Sequence, residues 1–236
     1  MPDPISIIAL GAAVGGAAGK LAEKTWDSGQ RWLQERFGSH SQAVQEKARR
    51  NASRFIEHLA QRVEILEKDA ALQEKKLQEA YTEPQFSALL QKSLLNAAQT
   101  DDAIKHILLA ELVAARLTNE TETTFSLASQ LASDAIAHST KRQLQLMALC
   151  CFIDEVRLKW QLSVSEYRLW IQHYFNPFED FEFNDKDAWH LVAIACASYD
   201  PACERSLSML FQMKGVGHVY QEEDFSDLVE FECLQM

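Results

Sequence analysis

Apolar residues recur along much of this chain at the spacing of α-helices. Between residues 55 and 77 they follow one another at steps of three, four or seven residues: Phe55, Leu59, Val63, Leu66, Ala70 and Leu77. This spacing places them on one face of a helix, and the other positions carry mostly Glu, Lys, Arg and Gln. We therefore predict a long charged helix over residues 39–81, in which Ser39 and Gln42 form a capping box.

The N-terminal segment has a different pattern. Asp3 and Pro4 are typical first residues of a helix, and residues 5–19 are apolar apart from one serine. The pattern then becomes amphipathic as far as Gly38, which is a typical helix stop. Residues 1–38 are thus predicted to form one glycine-rich amphipathic helix.

Shorter helices are predicted for the rest of the chain. Five of them form a predicted central bundle over residues 82–175, at 85–98, 102–118, 124–138, 141–160 and 164–175. Predicted caps within it are Asp101 and the pair Ser163 and Glu166. Residues 176–236 are predicted to form a small acidic C-terminal subdomain, with an extended stretch at 178–183, helices at 186–198 and 201–213, a turn at 214–217 and mixed structure at 219–232.

The distribution of glycine agrees with a helical fold. All eight glycines lie outside residues 39–214, a span in which β-hairpins would be expected to use glycine at positive φ. The predicted fold class is therefore all-α. Its parts are a multi-helix bundle with a long charged helix, an N-terminal glycine-rich helix and the acidic C-terminal subdomain.

Glycines in the first helix are spaced for close helix packing. Gly11, Gly15 and Gly19 are four residues apart and Gly16 lies beside them, so together they predict a helix-association strip. Each glycine costs a water-exposed helix about 1 kcal/mol, which calls for a packing reason. The strip is filled either by another helix of the same bundle or by a lipid or protein partner. In the second case the predicted contact residues are Ile8, Val14, Lys20, Lys24 and Trp26.

The formal charge of the chain is unevenly distributed. Residues 176–236 contain 3 basic and 13 acidic side chains, which accounts for 10 of the 11 net negative charges. This balance argues against nucleic-acid binding in that region, because phosphates require a cationic surface. The acidic region is either a solvated surface or a docking surface for a basic protein. A small basic cluster of Lys47, Arg49, Arg50 and Arg54 is interpreted mainly as a solvated helix face that pairs with Glu46 and Glu57. The alternative is a contact with anionic lipid or RNA.

Motifs of known chemistry were not found. The chain has no phosphate-binding loop, no zinc-binding His-Glu-x-x-His and no serine elbow, so we predict no enzyme activity, no cofactor and no metal. The pair Asp187 and His190 and the pair Asp134 and His138 are interpreted as capping or surface contacts. The adjacent Cys150 and Cys151 are predicted to be small residues of the core. The tryptophans Trp160, Trp170 and Trp189 are also predicted to lie in the core. The odd number of cysteines makes a disulfide framework unlikely, and Asp3 lies where a secretory signal would carry basic residues. Both features favour the cytoplasm.

Three central segments resemble a known family. Residues 88–102 (ALLQKSLLNAAQTDD), 108–117 (LLAELVAARL) and 127–131 (LASQL) are similar to the bacterial abortive-infection alpha proteins and related helical phage-defence proteins. The order of the predicted helices is similar over about residues 1–155, whereas the amino-acid sequence itself is similar over about 40 residues. It departs from the family pattern at residues 107 and 108, where a tryptophan is usual, and after residue 176. The resemblance implies phage defence by a non-enzymatic mechanism and supplies no catalytic residues.

Two functional hypotheses follow. The first is an antiphage effector, or a component of one, that forms homo-oligomers and perturbs the inner membrane through its N-terminal helix. The protein would then be cytoplasmic and peripheral at that membrane. The second is a helical adaptor that dimerises and binds a basic protein through its acidic C-terminal region.

Overall fold

A computed structural model describes residues 16–69, 74–118, 123–156, 162–178 and 184–198. Every regular element in these residues is helical, so the prediction of an all-α fold is confirmed. The helices are α1 (Gly16–Phe37), α2 (Gln42–Lys68), α3 (Glu74–Thr82), α4 (Pro84–Ala98), α5 (Ala103–Thr118), α6 (Thr123–His138), α7 (Lys141–Glu155), α8 (Val164–Phe175) and α9 (Asp185–Ala193), with a 3-10 turn at Asn176–Phe178.

The chain divides into two compact units, Met1–His138 and Ser139–Met236. The division falls inside the predicted central bundle over residues 82–175. The predicted segments 1–38 and 39–81 both contribute to the core of the first unit, together with α4 and α5. An apolar stripe in the sequence indicates which face of a helix is buried, but it does not indicate which helix covers it.

Helix α2 lies at the centre of the first unit. It packs against α1, α4 and α5, and its buried side includes Phe55, Ile56 and Leu59. Helices α1 and α2 run antiparallel, since Gly16 at the start of α1 lies beside Glu67 in the last turn of α2. Residues 38–41 make the short connection between them.

Several predicted helix boundaries need correction. The long helix predicted for residues 39–81 ends at Lys68, and a separate α3 begins at Glu74. No glycine or proline lies between residues 39 and 83 to mark this break. The predicted capping box at Ser39 is wrong, because Ser41 holds the N-cap position and its side chain makes no capping hydrogen bond.

Two other predicted caps gave opposite results. The capping box of Ser163 and Glu166 at the start of α8 is confirmed, with both reciprocal hydrogen bonds present. Asp101 is not the cap of α5. The Ile104 N–H instead donates to the Asp102 carboxylate over 2.9 Å, and Asp101 binds α2.

The second unit has its own core. Its fully packed residues are Leu146, Leu149, Tyr167, Ile171, Phe175 and Leu191. Two core predictions fail here, because Cys150 and Cys151 are exposed and Trp189 is 54% exposed. The apolar run around the cysteines continues over more than one helix turn, and such a run leaves the buried face undetermined. Trp170 is partly buried against Phe152.

Some predictions fall on residues outside the described ranges. They include most of the acidic C-terminal subdomain, with the helix at 201–213, the turn at 214–217 and the mixed segment at 219–232. Also outside the described ranges are residues 179–183 of the predicted extended stretch, together with Trp160, Cys203 and Cys233.

Candidate helix-association site

Small residues allow α1 to pack closely on its neighbours. Gly19 is buried, and Ala18 and Ala22 are almost completely inaccessible to solvent. Leu21 and Leu33 extend the same buried side of the helix into the core of the first unit. Of the two described glycines of the strip, Gly19 is therefore covered by the protein itself, whereas Gly16 is exposed.

The first turn of α1 is capped by a carboxylate from α2. The Ala18 N–H donates to Glu67 Oε2 over 3.0 Å. A carboxylate is favourable there because the first amides of a helix have no intrahelical acceptor and the helix dipole is positive at this end. A Cβ atom added at Gly16 would lie 3.3 Å from both Glu67 carboxylate oxygens.

The backbone at Gly16 has a φ of +58°, which lies in the left-handed region that glycine adopts readily. A right-handed helix cannot pass through such a residue without interruption. The prediction of one uninterrupted helix from residue 5 to residue 37 is therefore wrong at Gly16. The sequence pattern could not show this, because glycine is compatible both with a helix and with a turn.

Tyr81 of α3 holds the middle of α1. Its hydroxyl donates to the Leu21 carbonyl oxygen over 3.2 Å and lies 3.4 Å from Thr25 Oγ1. The ammonium group of Lys24 lies 3.9 Å from the centroid of the Tyr81 ring, in cation–π geometry. Burial raises the pKa of the Tyr81 hydroxyl to about 12, and the hydrogen bond with Thr25 opposes this rise only in part.

This raised pKa predicts an alkaline weakening of the first unit. Above about pH 10 the unfolded chain loses the Tyr81 proton before the folded chain does, so stability should fall between about pH 10 and pH 12. When the pH is raised from about 9 to about 11, the unmodified protein should lose on the order of 1 kcal/mol more free energy of unfolding than the Tyr81→Phe variant. Urea unfolding of both proteins at the two pH values measures this difference. Equal losses in the two proteins would contradict the assignment.

Gly29 allows a close approach between α1 and α4. A Cβ atom at this position would lie 2.8 Å from the Leu94 Cδ1 methyl group. Sequence analysis assigned Gly29 no role. Its position inside a predicted helix was nevertheless a signal, because a glycine there costs about 1 kcal/mol unless packing requires it.

The predicted contact residues occupy different environments. Lys20 and Lys24 are exposed, whereas Trp26 is 8% exposed and belongs to the core. No acceptor among the described residues lies within hydrogen-bond distance of the Trp26 indole N–H. Trp26 therefore has little surface for a lipid or a partner while α1 is docked. The remaining predicted residues, Ile8, Gly11, Val14 and Gly15, lie outside the described ranges.

The contacts of Asp187 agree with the capping interpretation. Asn184 and Asp187 form a capping box at the start of α9, and Arg142 Nε lies 2.7 Å from the Asp187 carboxylate. In the part of the chain that the structure describes, no group of three or more His, Cys, Asp or Glu side chains is arranged to hold a metal ion. None of the described helices is both long and apolar enough to cross a bilayer.

Comparison with known proteins places the chain in a family. A model of an uncharacterised protein family matches residues 19–231, which is most of the chain. The chain belongs to that family. No curated protein and no solved structure matches it. The family match begins at Gly19, so it includes most of α1, the Gly29 contact and Tyr81.

Proposed function

We propose that this protein is a non-enzymatic effector, or effector component, of antiphage defence of the abortive-infection type. In its resting form the N-terminal helix is docked against the bundle. On activation the helix is released, associates with copies of itself and perturbs the inner membrane. The observation that carries this proposal is the docking of α1, which buries small and apolar residues and leaves lysines outside.

The two sides of α1 differ in the way that membrane-surface helices do. The side that faces the bundle includes Leu21, Trp26 and Leu33, whereas Lys20 and Lys24 are exposed. Release would display an apolar stripe bordered by cations, which is the pattern of helices that lie at a lipid surface. Residues 5–15 extend the apolar sequence further towards the N-terminus.

Self-association follows from the length of the apolar segment. Residues 5–19 would span about 22 Å as a helix, which is shorter than a bilayer core of about 30 Å. A single copy would therefore be a poor membrane span. The glycine strip lets several copies pack closely, which favours oligomers in lipid.

Release requires an external trigger. Docking of α1 is stabilised by the core residues, by the Glu67 cap and by the hydrogen bond from Tyr81. A trigger can shift this equilibrium only by binding the released form more tightly than the docked form. The resemblance of residues 88–131 to abortive-infection alpha proteins supports a phage-derived trigger, and it favours a cytoplasmic protein that is peripheral at the inner membrane.

A substitution within the glycine strip tests the proposal. Gly15→Leu places a branched side chain where another helix should approach, and it should abolish toxicity on expression or membrane association while the bundle stays folded. Colony counts after induction and membrane fractionation measure the two effects. Full toxicity in this variant would rule out self-association through the strip.

The matched control is Ala13→Leu. Ala13 lies two residues from both Gly11 and Gly15, which is about 200° around a helix, so leucine there adds similar bulk on the side opposite these two glycines. This variant should keep its toxicity. Circular dichroism of both variants shows whether the bundle remains folded, so a loss caused by misfolding is recognised.

A further inference from the structure

Helices α2 and α5 run side by side in the same direction. Asn51 Nδ2 donates to Asp101 Oδ1 over 3.0 Å, and Lys47 pairs with the same carboxylate. About three turns further along both helices, Arg62 Nε lies 2.8 Å from Glu111 Oε2. The line between these two anchors is a seam. Helix spacing places Arg50 and Arg54 beside it on α2, and Ile104 and Ile107 beside it on α5.

The α2 side of this seam is cationic. Lys47, Arg50 and Arg54 follow at steps of three and four residues and all three are exposed. The predicted pairing with Glu46 and Glu57 is not seen among the described residues, since those carboxylates accept from Gln42 and Ser53. Neither Arg50 nor Arg54 forms an ion pair with a described residue, and Lys47 pairs with Asp101, which is also bound to Asn51. The lowered pKa of Asp101 has the hydrogen bond from Lys47 as its largest cause.

The α5 side of the seam is apolar. Ile104 and Ile107 are 41% and 43% exposed, and they lie within about one helix turn of each other on the strip that carries Glu111. Isoleucine is among the residues most often buried in proteins, so two neighbouring exposed copies are unusual. We call the five residues Lys47, Arg50, Arg54, Ile104 and Ile107 the seam surface.

We infer that the seam surface binds anionic phospholipid at the face of a membrane. Arginines and lysine provide attraction for anionic headgroups, and the isoleucines can enter the boundary between headgroups and acyl chains. None of the five residues is aromatic, so the surface lacks the stacking platforms that single-stranded RNA favours. This inference rests on the proposed function, and it adds the lipid class that the docked protein recognises before α1 is released.

Vesicle binding by the full chain tests the inference. The unmodified protein should sediment with vesicles of phosphatidylglycerol and phosphatidylcholine at low salt, and it should not sediment with phosphatidylcholine alone. Arg54→Glu should weaken binding to the anionic vesicles by about tenfold, because it reverses one of three charges at the contact. Added salt should weaken the binding of the unmodified protein.

Matched controls separate this surface from the overall charge. Arg49 is also exposed on α2 but lies about 140° around the helix from Arg54, so Arg49→Glu makes the same change in net charge at another face. It should change binding by less than about twofold. Ile107→Ser should weaken binding, whereas Leu127→Ser, which removes an exposed apolar residue of α6, should not.

Several results would overturn the inference. They are an equal loss for Arg54→Glu and Arg49→Glu, no preference for anionic vesicles, or a loss of oligouridylate binding in Arg54→Glu with vesicle binding unchanged.

The Gly15→Leu variant distinguishes this inference from the proposed function. If Arg54→Glu loses vesicle binding and Gly15→Leu stays toxic, the lipid surface stands and the proposed effector mechanism fails. If Arg54→Glu still binds anionic vesicles and Gly15→Leu loses toxicity, the lipid surface fails and the proposed effector mechanism stands.

Discussion

Replacement of Phe55 by alanine should lower the free energy of unfolding of the first unit by about 3–5 kcal/mol. Phe55 is completely buried on α2, the helix that α1, α4 and α5 all contact. Alanine would remove most of the ring and leave a cavity that a close-packed core fills only in part. Chemical denaturation followed by circular dichroism measures the change, and hydrogen exchange of peptides from α2 and α5 assigns it to the first unit.

An exposed leucine provides the control for this substitution. Leu131 on α6 is 69% exposed, so Leu131→Ala should change stability by no more than about 0.5 kcal/mol. A cost below about 1 kcal/mol for Phe55→Ala would mean that the core of the first unit is not packed around this ring.

The second large effect is expected at Gly29. Gly29→Leu should destabilise the docking of α1 by about 2–3 kcal/mol, although leucine favours a helix by about 1 kcal/mol over glycine. The reason is steric, since even a Cβ atom would lie 2.8 Å from the Leu94 methyl group. Leu94 is fully buried, so it cannot move aside into solvent. Hydrogen exchange of peptides from α1 should increase more than that of peptides from α5.

A double-mutant cycle tests whether this contact is the cause. Leu94→Ala removes the opposing methyl groups, so Gly29→Leu together with Leu94→Ala should be less destabilised than the sum of the two single changes, by about 1 kcal/mol or more. Gln30→Leu is the control, because residue 30 is exposed. If the two changes in the free energy of unfolding are strictly additive, the contact between residue 29 and Leu94 is not the cause of the destabilisation.

Gly29→Leu also bears on the proposed function. A weakening of 2–3 kcal/mol corresponds to roughly a 30- to 150-fold increase in the released population, at about 1.4 kcal/mol for each factor of ten. If release of α1 activates the effector, this variant should be more toxic than the unmodified protein without any trigger. A folded Gly29→Leu variant with unchanged toxicity would separate α1 release from function.

Local patterns were sufficient to predict most of the helices. The starts and ends of α4, α6 and α8 lie within about two residues of their predicted positions. These helices have clear local signals, such as Pro84 in the first turn of α4 and the capping box of Ser163 in α8. The break after Lys68 was not predicted, because an amphipathic stripe continues on both sides and no glycine or proline interrupts it.

The candidate site was predicted only in outline. The glycine spacing indicated that α1 would pack closely against a neighbour, and Gly16 does lie close to Glu67 while Gly19 is buried. The partners Glu67 and Tyr81 are 49 and 60 residues away from the α1 atoms that they bind, and nothing in their local sequence marks them. Cys150 and Cys151 were misplaced for a related reason, since an apolar run indicates burial without indicating the side that is covered.

Helix content, the amphipathic faces and the acidic end of the chain were thus determined by the sequence alone, because each depends on residues a few positions apart. Which helix covers each face, the left-handed turn at Gly16, the contact between Gly29 and Leu94 and the cationic seam beside α5 were decided only by the tertiary structure. They depend on residues brought together from distant parts of the chain, and the free energy that selects these contacts comes from packing and charge pairing in the folded unit.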